Sequence, residues 1–270
     1  MKNIPDFQKW KAAGKPITMV TCYDAATAKI LNATSVDSIL IGDSCAMVVH
    51  GFDSTVHATV EMIAAHTAAV RRGAPDKVIV ADLPFLSNRK GIDHAMDAVD
   101  QLMKAGANAV KLERRKGNVQ LVEHIVDSGV PVMGHLGLTP QSVNEFGGFK
   151  MQGKSSSAAK ALVEDARMLE QAGCFSVVLE CIPGDVAEEV TRSVSIPTIG
   201  IGCGPEVSGQ VLVVNDLLGM DAQFQPRFAR KYDNLSERIA SAVDRYCADV
   251  QSAAFPATGE YTSRLAKLEG

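Results

Sequence analysis

Four short apolar runs in the chain each lead to an acid. Ile39-Leu40-Ile41 runs through Gly42 into Asp43 and Ser44. Val78-Ile79-Val80-Ala81 ends in Asp82, Ala109-Val110-Lys111-Leu112 in Glu113, and Ser176-Val177-Val178-Leu179 in Glu180. Runs of this kind read as buried strands. Side chains alternate along a strand, which predicts that Ile39, Ile41 and Asp43 share a face. The same rule groups Val78, Val80 and Asp82, then Ala109, Lys111 and Glu113, then Ser176, Val178 and Glu180. These rows are expected to face inward, and a carboxylate ending the inward-facing row of a buried strand is costly unless something compensates it.

Asp43, Asp82 and Glu113 end consecutive strands, and neighbouring strands lie about 4.8 Å apart. Carboxylates that close repel unless a cation lies among them. An all-oxygen set suits Mg²⁺ and leaves positions for a chelating substrate. Each acid taken singly has a plainer reading as an ion-pair partner or helix cap. Lys111, inward beside Glu113, is either part of a structural ion pair or a cation facing a carboxylate or developing enolate. Glu180 falls across the mouth from the proposed metal set and is a candidate general base. Ser44 offers a hydroxyl and an N–H to an anionic oxygen. His135, expected to end its strand, is open to a structural or a functional role. His50, His57, His66, His94 and His124 lack metal-ligand spacing, and no nucleophile elbow is present.

The elements that must position these residues alternate. A helix over about 4–13 precedes a first strand, Ile17 to Thr21, as a possible lid over the barrel bottom. Asp24 and Thr59 are placed to cap the helices that follow them. Val130 to His135 reads as the fifth strand. The long segment from Leu136 to about Ser155 is rich in Gly, Thr, Pro, Ser and Asn; a connection of that length is more often functional than idle. Pro197 to Gly202 and Gln210 to Asn215 complete eight strands, and a last helix covers about 235–252. Strict alternation predicts a parallel sheet, and eight strands in this length predict a (β/α)8 TIM barrel, an α/β fold, as one catalytic domain over residues 1–270. There is no early GxGxxG to favour a dinucleotide fold. Barrel enzymes carry their chemistry at the C-terminal ends of the strands, where the acids fall.

The 270 residues are 46% hydrophobic and 21% charged, with a formal net charge of −4. That balance offers no broad basic surface for nucleic acid. No apolar run reaches the length of a membrane span, and the first residues lack a signal-peptide core, so the expected location is cytoplasmic. The six cysteines form no CxxC pair and are expected as reduced thiols.

The same stretches resemble the ketopantoate hydroxymethyltransferase family. The matching runs include Thr21-Cys22-Tyr23-Asp24, Gly42-Asp43-Ser44, Gly51-Phe52-Asp53-Ser54-Thr55 and Ala81-Asp82-Leu83-Pro84-Phe85. They continue with Val110-Lys111-Leu112-Glu113, Gly134-His135-Leu136-Gly137-Leu138-Thr139-Pro140-Gln141-Ser142 and Leu179-Glu180-Cys181-Ile182-Pro183. The resemblance covers roughly residues 5–255. It implies a barrel of the phosphoenolpyruvate mutase/isocitrate lyase type that uses Mg²⁺. It implies transfer of a hydroxymethyl unit from 5,10-methylenetetrahydrofolate to α-ketoisovalerate, in pantothenate synthesis. By the same resemblance Asp43, Asp82 and Glu113 bind the metal. Asp43, Ser44, Asp82 and Lys111 touch the keto acid, Glu180 accepts a proton, and the assembly is a homodecamer. The chain departs from the family pattern at Cys45-Ala46, Arg114-Arg115, Ser208 and Tyr261. All four departures are expected to border the mouth, where the arginines would either attract the folate tail or close off part of its site. The alternatives are a lyase or mutase of the same superfamily that acts without folate, and a non-catalytic metabolite-binding barrel.

Overall fold

The computed structural model describes residues 2–113, 118–223 and 225–262. Helix α1 (Ile4–Ala12) precedes β1 (Ile17–Thr21), α2 (Ala25–Asn32) and β2 (Ser38–Ile41). The short α3 (Cys45–Val48) and the longer α4 (Val60–Gly73) lead to β3 (Val78–Asp82), α5 (Ile92–Lys104) and β4 (Ala109–Glu113). Next come α6 (Val119–Asp127), β5 (Val132–Gly137), α7 (Val143–Phe146) and α8 (Ser156–Gln171). The remaining elements are β6 (Ser176–Glu180), α9 (Gly184–Ser193), β7 (Thr198–Ile201), β8 (Gly209–Leu212), α10 (Val214–Leu218) and α11 (Leu235–Gln251). The eight strands are all parallel and close in sequence order, with β8 pairing β1. The expected (β/α)8 barrel is therefore the fold.

Local chemistry starts the helices as expected. Asn3 and Asp6 form a reciprocal capping box on α1. The Asp24 carboxylate accepts from the Thr27 N–H at 2.9 Å, and the Thr59 hydroxyl accepts from the Met62 N–H at 3.2 Å. Inside the barrel, Ile17, Met19, Leu40, Val80, Met133 and Val178 belong to one buried cluster. Phe7 of α1 joins it, fully buried and edge-on to Phe175 at 5.4 Å. The N-terminal helix is thus the floor of the barrel.

Two expectations need correction. Leu40, not Ile39 or Ile41, faces the barrel interior. Strand β2 is buried along its whole length because helices cover its outer face. An apolar run buried on both sides does not reveal which face is inward. Asp43 reaches the interior because the strand stops at Ile41 and the chain turns at Gly42. A Cβ at Gly42 would meet the Ser44 hydroxyl at 2.7 Å, so a larger residue there would displace that hydroxyl. The fifth strand starts and ends two residues later than expected, which puts His135 inside it.

The chain divides into two compact units, one up to Val214 and one from Asn215 onward. In the second, α11 has no buried residue. Its Ile239, Val243, Tyr246 and Val250 form one exposed apolar stripe. Among the described residues no helix is long and apolar enough to cross a membrane.

Candidate active site

Strand register brings the predicted residues to one end of the barrel. Asp82 of β3 pairs with Lys111 of β4, Glu113 pairs with His135 of β5, and Gly137 pairs with Glu180 of β6. Gly137 has φ +92°, and a Cβ there would meet Ile182 at 2.8 Å, so glycine lets β5 approach the end of β6. Asp43, Asp82, Lys111, Glu113 and His135 are all at most 6% exposed.

Lys111 is the centre of the cluster. Its ammonium lies 2.9 Å from Asp82 Oδ1 and donates to His135 Nδ1 at 3.2 Å. Burial lowers its pKa, but Asp82, Asp43 and Glu113 raise it further, so the amine stays charged. The structural ion pair considered for Lys111 thus exists, with Asp82 as partner. An ammonium can only donate, so His135 Nδ1 accepts and the ring proton sits on Nε2. Burial, then Lys111, push the imidazole well below its usual pKa, which keeps it neutral. Nε2 lies 3.1 Å from Glu180 Oε2, off the axis of a proper hydrogen bond.

The acids respond to that crowding. Burial raises Asp43 to about 7, with Asp82 the next cause. Burial, then Asp43, raise Glu113 well above its ordinary range. Glu180 is raised to about 7 by burial, against the pull of Lys111. Asp82 Oδ2 accepts from the Asp43 N–H at 3.0 Å. Glu113 Oε2 is buried with no hydrogen-bond partner among the described residues. An orphaned carboxylate oxygen beside two more acids fits a hard divalent cation. No three His, Cys, Asp or Glu side chains among the described residues stand ready as a metal cage; Lys111 supplies the positive charge in this arrangement.

Ser44 opens α3, and its hydroxyl lies 2.8 Å from the Tyr23 hydroxyl. Tyr23 was not anticipated as part of the site, though it lies in one of the matching runs. Gln141 was also missed. It sits in the 3₁₀ turn Pro140–Ser142, and its side chain bonds Asp43 while its main-chain N–H bonds Glu113. No spacing rule points to a neutral amide, although its place in the long loop after β5 could have drawn notice. Of the departures from the family pattern, Cys45 and Ala46 are buried directly behind Ser44. Ser208 is not at the mouth. Its hydroxyl accepts from the Thr198 N–H where β7 starts, at the opposite end of the barrel. Arg114 and Arg115 lie outside the described residues.

A cleft of about 930 Å³ leads outward from Glu113 and Gln141. Phe85 and Leu86 line one side, and Phe146 and Leu162 also contribute.

A sequence profile described as ketopantoate hydroxymethyltransferase matches residues 1–258. The chain belongs to the ketopantoate hydroxymethyltransferase family. Among relatives of that family, the 3-methyl-2-oxobutanoate hydroxymethyltransferase of Coxiella burnetii (strain RSA 493 / Nine Mile phase I) is 53% identical over 255 residues, 94% of this chain and 96% of that sequence. The protein of the same name from Francisella tularensis subsp. tularensis is 50% identical over 256 residues, 95% of this chain and 97% of that one. Solved structures share the fold of the family at low identity. A 2,3-dimethylmalate lyase of the PEP mutase/isocitrate lyase superfamily aligns with TM-score 0.61 at 12% identity, covering 98% of this chain and 93% of that chain. A phosphonopyruvate hydrolase complexed with oxalate and Mg²⁺ aligns with TM-score 0.61 at 12% identity, covering 96% and 93%.

Proposed function

We propose that the protein transfers the one-carbon unit of 5,10-methylenetetrahydrofolate to 3-methyl-2-oxobutanoate, with water supplying the hydroxyl oxygen, giving ketopantoate and tetrahydrofolate. The observation that carries this is the convergence of Asp43, Asp82, Lys111, Glu113 and Glu180 at one barrel mouth in a chain of this family. Asp43, Asp82 and Glu113 would hold Mg²⁺, which, when bound, polarises the keto acid and acidifies its C3 proton. Asp43, Ser44, Asp82 and Lys111 would contact the keto acid. The charged Lys111 favours negative charge developing on the substrate oxygen. Glu180 takes the C3 proton, with a pKa near 7 suited to a general base. The cleft beside Glu113 is the place for the folate. Assembly into a decamer belongs to the same reading.

The test is direct. Purified protein given Mg²⁺, 3-methyl-2-oxobutanoate and 5,10-methylenetetrahydrofolate should form ketopantoate. Cleavage of another 2-oxo acid with no ketopantoate formed would sink the proposal.

The acid limb of the activity profile is expected near pH 7. Glu180 must be ionised to accept a proton, and burial holds its carboxyl protonated up to about that pH. Turnover should therefore rise with pH through 7. An acid limb left in place by Glu180→Gln would show that Glu180 is not the base.

A further inference from the structure

We propose that Gln141 is a positioning residue that couples loading of the cation site to the shape of the neighbouring cleft. The inference rests on the reading of Asp43 and Glu113 as cation ligands. Its geometry stands on three hydrogen bonds from one residue. The Gln141 side-chain nitrogen donates to Asp43 Oδ2 at 2.8 Å and to the Leu83 carbonyl at 3.0 Å. Its main-chain N–H donates to Glu113 Oε1 at 3.4 Å. The two side-chain partners present acceptor oxygens, so the amide can point only one way, nitrogen inward.

The placement of Gln141 gives these bonds their meaning. The residue belongs to the turn after β5, yet it grips the loop after β2, the end of β3 and the last residue of β4. It also lines the 930 Å³ cleft together with Phe85, Leu86 and Phe146. Leu86 holds a left-handed φ of +61°, a strained conformation for leucine. It lies three residues beyond the carbonyl that Gln141 holds.

Fixing Asp43 and Glu113 around a cation therefore fixes Gln141, its turn and the end of β3. Linkage is reciprocal: a turn already held by Gln141 presents its two carboxylates in the right orientation for the cation. Groups that orient metal ligands in this way typically contribute about 10–100-fold to affinity. The keto-acid end of the site and the cleft are thus ordered together.

The experiment uses Mn²⁺ as the probe, followed by the loss of its free electron-paramagnetic signal, with hydrogen exchange measured in parallel. Gln141→Met keeps the length of the side chain and removes both donors. It should bind Mn²⁺ about 10–100-fold more weakly than the parent. In the parent, Mn²⁺ should slow exchange across residues 136–155; in Gln141→Met that slowing should disappear. A purely structural anchor would lower the melting temperature and leave Mn²⁺ affinity unchanged, which overturns the proposal. If the variant does not fold, the parent decides: Mn²⁺ binding without slowed exchange in 136–155 also overturns it. A parent that binds no Mn²⁺ overturns the cation reading itself, a separate failure.

Discussion

Lys111→Met is expected to destabilise the metal-free barrel by about 3–5 kcal/mol, the usual cost of breaking a buried ion pair from one side. Methionine fills much of the same space, so little of the effect comes from packing. What remains is Asp82 without its partner at 2.9 Å, beside Asp43 and Glu113. The carboxylates can recover only by binding protons. Burial already raises the folded-state pKa values of Asp43 and Glu113, so there the folded state holds protons that the unfolded chain releases. Stability of the variant should therefore be highest at acid pH and fall as pH rises through 7. Melting curves at pH 5 and pH 8 check this, and added Mg²⁺ should restore part of the loss at pH 8. A variant as stable as the parent at pH 8 would falsify the account of Lys111 as the central charge.

Glu180→Gln is expected to reduce turnover about 10²–10⁴-fold, the usual contribution of a positioned base. The amide keeps the shape but cannot take a proton. With 3-methyl-2-oxobutanoate and Mg²⁺ in heavy water, the parent should exchange the C3 proton for deuterium without folate. The variant should bind the keto acid and leave that proton in place, as proton NMR would show. The substitution also removes a titrating group. Glu180 is raised from 4.5 to about 7, so it makes the metal-free protein less stable as pH rises across that window. That part of the slope should vanish in the variant. Undiminished exchange would assign the C3 proton to another group.

The barrel and most of the site could be read before any coordinates because both rest on strand ends. In β3, β4 and β6 an acid at the end of the row marks the inward face, and Asp82, Lys111, Glu113 and Glu180 all lie as alternation requires. In β2 that marker is missing. Ile39, Leu40 and Ile41 are all buried, and only the barrel packing tells the faces apart. His135 was misplaced for a related reason: strand β5 continues through Leu136 and Gly137, residues that also suit the start of a loop. The roles of Gln141 and Tyr23 are hydrogen bonds set by side-chain direction, which residue type alone does not encode. Ser208 misled because nearness to the eighth strand does not say which end of it a residue occupies.

The floor of the barrel has a consequence for the order in which the chain can fold. Phe7 is buried among Ile17, Ile199 and Val211, residues drawn from β1, β7 and β8. Its socket does not exist until the last strand pairs with the first. Helix α1 therefore leaves the ribosome early and docks late, and its apolar face stays wet through nearly the whole of synthesis. Contacts this distant in sequence slow folding and lengthen exposure to aggregation. Ring closure and sealing of the floor then become one late, cooperative event.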